Sequence, residues 1–398
     1  MKILHTLPNL DPSAGGLASV AIRLASAQAG LGHDVAIACY HDASADDRIA
    51  ADAARVPHFD RVHVEHLAAL TPWECRLGLR ARRRVDAIVR RFDIVHNHGV
   101  WDTLARIVTA AARKHDIPYV IAPHGMLDPW SMSQKWLKKR IALALGYRAM
   151  LDAAAFIHAL NHDEQQLMAP LRLKSPVRII PNGVYLEEFD SLPPPGEFRA
   201  SHPGLGDRPY VLFLGRIHPK KGLDYLAEAF AKVLRDGCDA ALVVAGPDAG
   251  ALGSFLAQSR RLGIADRVVL TGLIWGRKKL AALVDAACFC LPSRQEGFSM
   301  AIAEALACRV PVVISQACHF PEVAQAGAGF VLPLEADAFA NALNQLLRDR
   351  TLRSHMGTAG KDLVAAQFTW STIASRSILL YEPHVRTCAA NRPMMLGS

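Results

Sequence analysis

Apolar and polar positions alternate along the chain in blocks that predict strands and helices in turn. In the first half, short apolar runs predict strands at residues 2–7, 35–39, 93–96, 118–123, 154–160 and 177–181. In the second half, similar runs predict strands at residues 210–214, 241–245, 268–271, 287–291, 312–314 and 330–332. Strands that alternate with helices predict an α/β protein with two doubly wound, Rossmann-like domains, which we expect to face each other across a cleft.

A stretch rich in proline and glycine separates the two halves. Residues 191–209 contain the run PPPG and have the composition of a linker. We therefore predict an N-terminal domain over residues 1–190 and a second domain over residues 210–369. Residues 370–398 are predicted to form a C-terminal helix and a tail.

Composition limits the classes of protein that fit. The chain has 398 residues, too many for one ordinary core, and its net charge of +8 favours anionic partners such as phosphates, nucleic acid or a membrane surface. The eight cysteines show no CxxC spacing, which favours a reducing compartment over a disulfide framework or a zinc site. The first residues lack the apolar segment of a signal peptide, and no apolar run is long enough to span a bilayer. We therefore expect a cytoplasmic protein that is soluble or peripheral at the inner face of the membrane.

Two glycines, Gly15 and Gly16, precede the first predicted helix. Glycine lets the backbone approach a ligand closely, and a helix N-terminus favours an anion. The GxGxxG dinucleotide fingerprint is absent, so a nicotinamide site is not supported. Alone, the pair is explained equally well by a loop that needs positive φ.

The stretch LPSRQEGFSMAIAEALACRVPVVI, residues 291–314, predicts a strand, a loop, a helix and a further strand. Glu296 lies in the loop and Glu304 early in the helix. Ligands of open α/β sheets bind at the carboxyl ends of the strands, so we expect the loop to face a site. Carboxylates accept hydrogen bonds from several donors, which suits the hydroxyl groups of a sugar.

A second loop, GRIHPKKG at residues 215–222, follows the first strand of the second half. Arg216 and Lys221 can bind a diphosphate and neutralise the charge of a diphosphate leaving group without a metal ion. Alone, the loop is also explained as a basic turn with solvated side chains. The chain contains no DxD motif to hold a divalent ion and no clear carboxylate nucleophile.

Histidines cluster near two predicted strand ends. His96, His98 and Trp101 follow one strand, and His124 with Gly125 follows the next. No acidic partner or HxxxH spacing supports a metal site, so we predict that these histidines lie in the core or contact substrate.

Two predicted helices, at residues 76–91 and 133–150, are basic. The second also carries tryptophan and an apolar side, as helices that lie on anionic membranes do. For the first helix alone, a solvated helix face is the favoured interpretation. For the second, an ordinary surface helix docked on its own domain explains the pattern equally well.

These motifs occur together in one known family. The GG pair, HG at residues 124–125, PNGV at 181–184, GRIHPKKG and E-x7-E from Glu296 to Glu304 appear in order over almost the whole chain. The chain resembles the retaining GT-B glycosyltransferases of family 4. The segment HGMLDPWSMSQKWLKKR is similar to members that build bacterial exopolysaccharide or O-antigen repeats.

The resemblance implies roles for the matching residues. Arg216 and Lys221 would hold the donor diphosphate, Glu304 the ribose, and Glu296 the transferred sugar near His124. The implied catalytic residues are His124, Arg216, Lys221 and Glu296. The implied donor site comprises Gly15, Gly16, Arg216, Lys221, Gly246, Leu273, Ile274, Glu296, Gly297, Phe298, Ser299 and Glu304. His98 and Trp101 would lie on the acceptor side, and the C-terminal helix would cross back to the first domain.

The resemblance also implies an activity. A hexose would pass from GDP-mannose or a UDP-hexose to a polyprenyl-diphosphate-linked glycan by front-face attack, with no metal or other cofactor and no nucleic-acid partner. One alternative is an enzyme of the sucrose or glycogen synthase type with a soluble acceptor. Another is a non-enzymatic protein that binds anions or membranes, which would leave both glutamates unexplained.

Overall fold

The computed structural model describes residues 1–11 and 16–391, apart from the side chains of residues 52, 130 and 386–391. The chain divides into two compact units. The first contains Met1–Asn182 together with the helix that begins at Trp370, and the second is Gly183–Thr369.

The first unit is built on a seven-stranded parallel sheet with the order β3-β2-β1-β4-β5-β6-β7. Its strands are β1 (Lys2–Thr6), β2 (Asp34–His41), β3 (His63–Ala69), β4 (Ile94–His98), β5 (Tyr119–Ala122), β6 (Phe156–Ala159) and β7 (Val177–Ile179). The central strands β1 and β4 are buried nearly throughout, as strands of a parallel sheet are when both of its faces are covered. This arrangement confirms the doubly wound α/β architecture predicted for the first half.

The helices of this unit are α1 (Gly16–Gly30), α2 (Asp46–Ala53), α3 (Pro72–Leu77), α4 (Leu79–Val89), α5 (Thr103–Lys114), α6 (Pro129–Ser133), α7 (Trp136–Ala142), α8 (Arg148–Asp152), α9 (His162–Met168) and α18 (Trp370–Asn391). Helix α18, the last of the described chain, packs against α1, the first.

Both predicted basic helices are interrupted. The first breaks at Gly78, which adopts the left-handed conformation (φ 61°) and whose Cα lies so close to Ile107 that a Cβ would meet that side chain at 2.1 Å. The second is divided into α6, α7 and α8, with a π-helical turn at Leu143–Tyr147 in which Gly146 has φ 111°. Glycine tolerates these angles because it has no Cβ.

The second unit holds a six-stranded parallel sheet with the order β10-β9-β8-β11-β12-β13, which confirms the same architecture for the second half. Its strands are β8 (Tyr210–Leu214), β9 (Ala241–Ala245), β10 (Val268–Gly272), β11 (Cys288–Leu291), β12 (Val312–Ser315) and β13 (Gly329–Leu332). Its helices are α10 (Glu197–Ala200), α11 (Leu223–Arg235), α12 (Leu252–Arg261), α13 (Arg277–Val284), α14 (Met300–Ala307), α15 (Glu322–Gln325), α16 (Ala336–Arg348) and α17 (Arg350–Gln367).

The segment predicted as a linker, residues 191–209, lies inside the second unit. Phe198 and Leu205 are buried in the core of that unit. The carboxylate of Asp285 accepts hydrogen bonds from the backbone amides of Gly196, Phe198 and Arg199, which satisfies the free amides at the start of α10. The proline-rich composition therefore reflects a folded turn segment, and the units divide at residues 182 and 183.

The helices of the described chain are all too short or too polar to cross a bilayer.

Candidate active site

The loop that follows β8 carries the two predicted phosphate-binding cations. The side chain of His218 accepts a hydrogen bond from the amide of Lys220, which turns the loop back toward α11. Gly222, with φ 69°, sits so close to Pro292 that a Cβ would meet its carbonyl oxygen at 1.8 Å. The loop that follows β8 is thereby held against the loop that follows β11.

Lys221 and Glu296 form an ion pair. The Lys221 Nζ lies 2.6 Å from the Glu296 Oε1, and the two side chains are only 19% and 9% exposed. The Ser293 hydroxyl donates to the same carboxylate oxygen, and the Glu296 amide donates to the Ala317 carbonyl at 3.0 Å. The structure therefore brings two predicted site residues into direct contact and fixes the glutamate from several directions.

Arg216 is exposed, and within the described part of the chain its guanidinium has no ion pair or hydrogen bond. A planar guanidinium with free donors is suited to bidentate contact with a phosphate. The loop thus offers one paired and one unpaired cation.

Glu304 lies within α14, where Lys279 of α13 holds its carboxylate at 2.8 Å. Lys279 is a site residue that sequence reasoning missed, although it belongs to the run GRKKL after β10. The ion pair orients the Glu304 carboxylate, whose oxygens can accept hydrogen bonds from a pair of hydroxyl groups.

The turn between the two glutamates leads into the N-terminus of α14. Ser299 is the N-cap residue, but its side chain makes no capping hydrogen bond. The Phe298 ring packs on Phe320 and Phe368, with centroid distances of 5.2 and 5.9 Å. This packing anchors Gly297–Ser299 and leaves a helix N-terminus, where free amides favour an anion.

Three further donor-site predictions lie at the ends of β9 and β10. Gly246 has φ 148°, and a Cβ there would meet the Gly215 carbonyl oxygen at 1.9 Å. This position requires glycine because two backbone segments approach each other closely. Leu273 is 67% exposed and Ile274 is partly buried in the loop after β10. An exposed leucine at a strand end suits contact with an apolar base face.

In the first unit, His124 follows β5 in the left-handed conformation, with φ 50°. A non-glycine residue with positive φ is strained and is held there by its surroundings. The Glu164 carboxylate accepts from the amides of Gly125 and Leu160, at 2.6 Å each, which fixes the turn after His124. Glu164 is a second residue that sequence reasoning missed.

The structure corrects the prediction for His98. This residue lies within β4, is fully buried, and has both ring nitrogens hydrogen-bonded, to His5 at 2.9 Å and to His124 at 3.0 Å. It therefore cannot contact an acceptor directly. Trp101 is partly exposed, and its indole N–H donates to the Met126 carbonyl at 3.1 Å, so it also supports the loop after β5.

The two predicted glycines differ in what the structure says of them. Gly15 lies outside the described residues. Gly16 is the exposed first residue of α1, and a Cβ there would meet nothing within 4 Å.

His5, His96 and His98 are all buried, and their ligand atoms lie within 4.8 Å of one another, close enough for a metal ion. Burial lowers the pKa of His5 to about 4 and lowers the pKa values of His96 and His98 well below their usual range. The rings are therefore neutral, as metal ligands must be. A metal-independent reaction stays a prediction.

Comparison with known proteins identifies the family. A family model described as "Glycosyl transferase 4-like domain" matches residues 15–183, and one described as "Glycosyl transferases group 1" matches residues 196–363. The chain is 33% identical over 310 residues to a GDP-mannose-dependent alpha-(1-6)-phosphatidylinositol monomannoside mannosyltransferase of Mycobacterium tuberculosis (strain CDC 1551 / Oshkosh). The matched region covers 73% of this chain and 78% of that protein.

Two other similarities are more distant. The alpha-maltose-1-phosphate synthase of the same strain is 27% identical over 317 residues, covering 74% of this chain and 79% of that protein. The crystal structure of Anabaena Alr3699/HepE in complex with UDP and glucose matches with a TM-score of 0.72 at 19% identity, covering 96% of this chain and 100% of that one. Two parallel sheets, the paired charges at the end of the second, and these matches show that the chain is a hexosyltransferase and belongs to the GT-B glycosyltransferases of family 4.

Proposed function

We propose that this enzyme transfers a hexose from a nucleotide-diphosphate sugar to a lipid-linked glycan, with retention of configuration and without a metal ion. The observation that carries the proposal is the set of fixed charges at the carboxyl end of the second sheet. Arg216 and Lys221 suit the donor diphosphate, and Glu296 and Glu304 suit the hydroxyls of sugar and ribose.

The reaction would be driven by stabilisation of the leaving group. Breaking the bond between the sugar and the diphosphate places negative charge on the phosphate oxygens, next to Arg216, Lys221 and the amides at the start of α14. Donors that are already in place cost no reorganisation when this charge develops. The departing phosphate would take the proton of the acceptor hydroxyl as that hydroxyl attacks from the same face.

Glu296 is poorly suited to act as a covalent nucleophile. Its Oε1 accepts from both Lys221 and Ser293, and each hydrogen bond lowers the availability of the carboxylate electrons. The remaining oxygen, Oε2, is left to bind a sugar hydroxyl. This supports the front-face route over a double displacement.

We propose GDP-mannose as the first donor candidate and a UDP-hexose as the second. The mycobacterial relative is described as GDP-mannose-dependent, and the Anabaena structure contains UDP and glucose. A donor that binds only the folded protein raises its melting temperature, and one present at a hundred times its Kd adds about 2.7 kcal/mol to the unfolding free energy.

The test is a screen of nucleotide sugars for thermal stabilisation and slow donor hydrolysis, with and without chelator. We expect one donor to stabilise the protein, the Glu304→Ala variant to lose this response, and chelator to leave it unchanged. Activity that disappears with chelator and returns with a divalent ion would contradict the metal-independent reaction. The absence of any donor response would favour the non-enzymatic alternative.

The lipid-linked acceptor is supported by an apolar and basic surface on the first unit. Exposed large side chains on α3, α4, α7 and the π-helical turn are Trp73, Leu77, Leu79, Trp136, Leu137, Ile141 and Leu145. Of these residues, Leu77 lines a cavity of about 660 Å³ that is also lined by Arg76, Arg82, Arg106 and Arg113, among others. Exposed apolar groups beside arginines suit the headgroups and upper acyl chains of an anionic membrane.

Vesicle flotation tests this surface. Replacing Leu145, which is 66% exposed, by Ser should reduce binding to anionic vesicles several-fold. The matched control is Leu379→Ser, a similarly exposed leucine (68%) on α18. Equal loss in both variants, or binding to neutral vesicles alone, would contradict the proposed surface.

The acceptor itself is tested with two lipid-linked glycans, one on polyprenyl diphosphate and one on phosphatidylinositol. We propose the polyprenyl form first, and the mycobacterial relative makes the phosphatidylinositol form the second candidate. Transfer only to a water-soluble sugar or sugar phosphate would instead favour the soluble-acceptor alternative, in line with the similarity to alpha-maltose-1-phosphate synthase.

A further inference from the structure

Five histidines of the first unit form a buried cluster that the proposed reaction does not use directly. His5, His96, His98 and His158 are no more than 2% exposed, and His124 is partly exposed at the edge of the cluster. The His98 ring stacks on those of His5, His96 and His124 with centroid distances of 4.6–5.3 Å. The His96 and His158 rings are tilted, with their centroids 5.1 Å apart. Because each neutral imidazole has one N–H and one lone pair, the direction of every hydrogen bond can be determined from the groups at the ends of the cluster.

The first end is a backbone carbonyl reached through α18 and α1. The Ser377 hydroxyl donates to the Ala374 carbonyl at 2.6 Å, so its oxygen accepts from the Gln28 side-chain N–H at 2.8 Å. This fixes the orientation of the Gln28 amide, whose Oε1 then faces the His5 Nε2 at 2.7 Å. His5 therefore carries its proton on Nε2.

The direction continues outward from His5. Its Nδ1 holds the lone pair and accepts from the His98 Nε2–H at 2.9 Å. The His98 Nδ1 in turn accepts from the His124 Nε2–H at 3.0 Å. His124 is left with a lone pair on Nδ1, an atom that has no hydrogen-bond partner among the described residues.

A second branch shares only Gln28 with the first. The Gln28 N–H also lies 3.4 Å from the Tyr381 oxygen, and the Tyr381 hydroxyl donates to the His96 Nδ1 at 2.5 Å. His96 donates through Nε2 to the His158 Nδ1 at 3.1 Å, and the His158 Nε2–H ends the branch on the Ile180 carbonyl at 2.6 Å. Every ring nitrogen of the cluster except the His124 Nδ1 thus has a hydrogen-bond partner among the described residues, and no ring needs a charge.

From this geometry we infer that Gln28, His5 and His98 are positioning residues that hold His124 with its proton on Nε2 and its Nδ1 lone pair presented to a sugar hydroxyl. The inference rests on the proposed function for its ligand, but the hydrogen-bond chain itself exists in the free protein. A ring held by its inner nitrogen cannot flip, so its outer nitrogen stays an acceptor that a hydroxyl, but not another lone pair, can satisfy.

Burial supports the neutral state of the whole branch. It lowers the pKa of His124 to about 3 and of His5 to about 4, and it lowers that of His98 well below its usual range. A second proton on His5 or His98 would set one N–H against another, because the Nδ1 atom of each ring already accepts from a neighbouring N–H.

The competing interpretation is a metal ion held by His5, His96 and His98. Each of these rings has a single lone pair, on Nδ1, which already accepts from His98, Tyr381 or His124 respectively. A bound ion would have to break all three hydrogen bonds.

The decisive measurement is NMR of the free protein labelled with ¹⁵N in its histidines. We expect N–H···N couplings between His124 and His98, between His98 and His5, and between His96 and His158. Protons found on the Nδ1 of His98 or His5, or the absence of the first two couplings, would overturn the inference. So would loss of the couplings on addition of one equivalent of Zn²⁺ with tight binding, which would assign the cluster to a metal.

Two variants connect the chain to the reaction. Gln28→Leu removes the inner anchor of the His124 branch, so the His124–His98 coupling should disappear. The donor KM should rise by up to about tenfold, which is the effect of one hydrogen bond. The change in kcat should be smaller. Tyr381→Phe removes the donor of the other branch only and should leave the coupling and the KM unchanged.

The outcomes separate the two proposals. An intact coupling pattern in a protein that hydrolyses no nucleotide sugar would contradict the proposed function and leave the hydrogen-bond chain standing. If the Gln28 and Tyr381 variants changed the His124–His98 coupling equally, the inferred hydrogen-bond chain would be contradicted, whatever the donor.

Discussion

At the carboxyl end of the first sheet, buried histidines bond to one another and carry no charge, whereas at the corresponding end of the second sheet lysines pair with glutamates. The first arrangement supplies direction, because each ring accepts from one neighbour and donates to the next. The second places fixed charges at the strand ends, and in the proposed reaction Arg216 and Lys221 would stabilise the negative charge of the leaving group. The same sheet architecture thus supports two kinds of site, and the difference lies in the residues that follow the strands.

The largest effect is expected when a cation is removed from the charged site, the cluster of Arg216, Lys221, Glu296 and Glu304 at the end of the second sheet. Lys221→Ala should lower kcat about 10²- to 10³-fold, the range seen when one preorganised group for a developing charge is deleted. Lys220→Ala is the matched control, since Lys220 is the adjacent lysine and donates to Gln295 instead. A Lys221 variant no slower than the Lys220 variant would mean that the paired lysine only holds Glu296.

The next largest effect is expected from a substitution that disturbs the backbone under the charged site. Gly246→Ala places a Cβ at 1.9 Å from the Gly215 carbonyl oxygen at φ 148°, so we expect the unfolding free energy to fall by about 2–4 kcal/mol. Gly253→Ala is the control, because nothing lies within 4 Å of its Cβ and it sits in α12. Denaturant unfolding measures both, and equal stabilities would contradict the close approach of the two strand ends.

The buried histidines should make the unfolding free energy depend on pH. The unfolded histidines titrate near 6.5, and the folded pKa values of His5 and His158 are lowered to about 4 and that of His124 to about 3. Between pH 6.5 and about 4 the unfolded chain therefore binds protons that the folded chain does not. Stability is fully present above pH 6.5 and falls as the pH drops, by about 1.4 kcal/mol per pH unit for each such histidine.

Asp102 acts in the opposite direction, because burial raises its pKa to about 6 and the folded state then takes up a proton that the unfolded state does not. Asp102→Asn keeps a capping side chain at the start of α5 but removes this titration. The fall in stability between pH 6.5 and 4 should therefore be steeper in the variant than in the native protein. A stability that does not change across this window in either protein would contradict a neutral histidine cluster.

The smallest expected effect concerns Lys279. Its ion pair with Glu304 is partly exposed, at 25% and 17%, so its loss should weaken donor binding only a few-fold. Titration of the donor into Lys279→Met and into the control Lys278→Met measures the difference. Equal affinities would indicate that Glu304 is oriented by the helix alone.

Much of the charged site could be predicted from sequence because it is local. Arg216 and Lys221 occupy one loop, Glu296 and Glu304 another, and each loop directly follows a strand. The positions of such loops follow from the rule that ligands bind at the carboxyl ends of parallel strands. Lys279 was missed because a lysine in a basic run carries no signal of its partner.

The neutral site could not be predicted in the same way. Gln28 and Ser377, whose side chains hydrogen-bond, are 349 residues apart in the chain, and a buried glutamine inside a helix looks like any other helical residue. The predicted strand ends at His96, which leaves His98 in a loop where it could contact an acceptor. In the structure β4 continues to His98, so this histidine lies in the core. The interruption of both basic helices was also missed, because a single glycine within an apolar pattern is compatible with either a continuous or a broken helix.

The position of α18 in the first unit has a consequence for synthesis of the chain. Residues 183–369 form a unit that is continuous in sequence and can fold once it has left the ribosome. The unit that is translated first lacks Ser377 and Tyr381 until the last helix is made, so the hydrogen bonds of Gln28 and His96 to that helix form only then. The first unit is therefore completed only after the second unit has been translated.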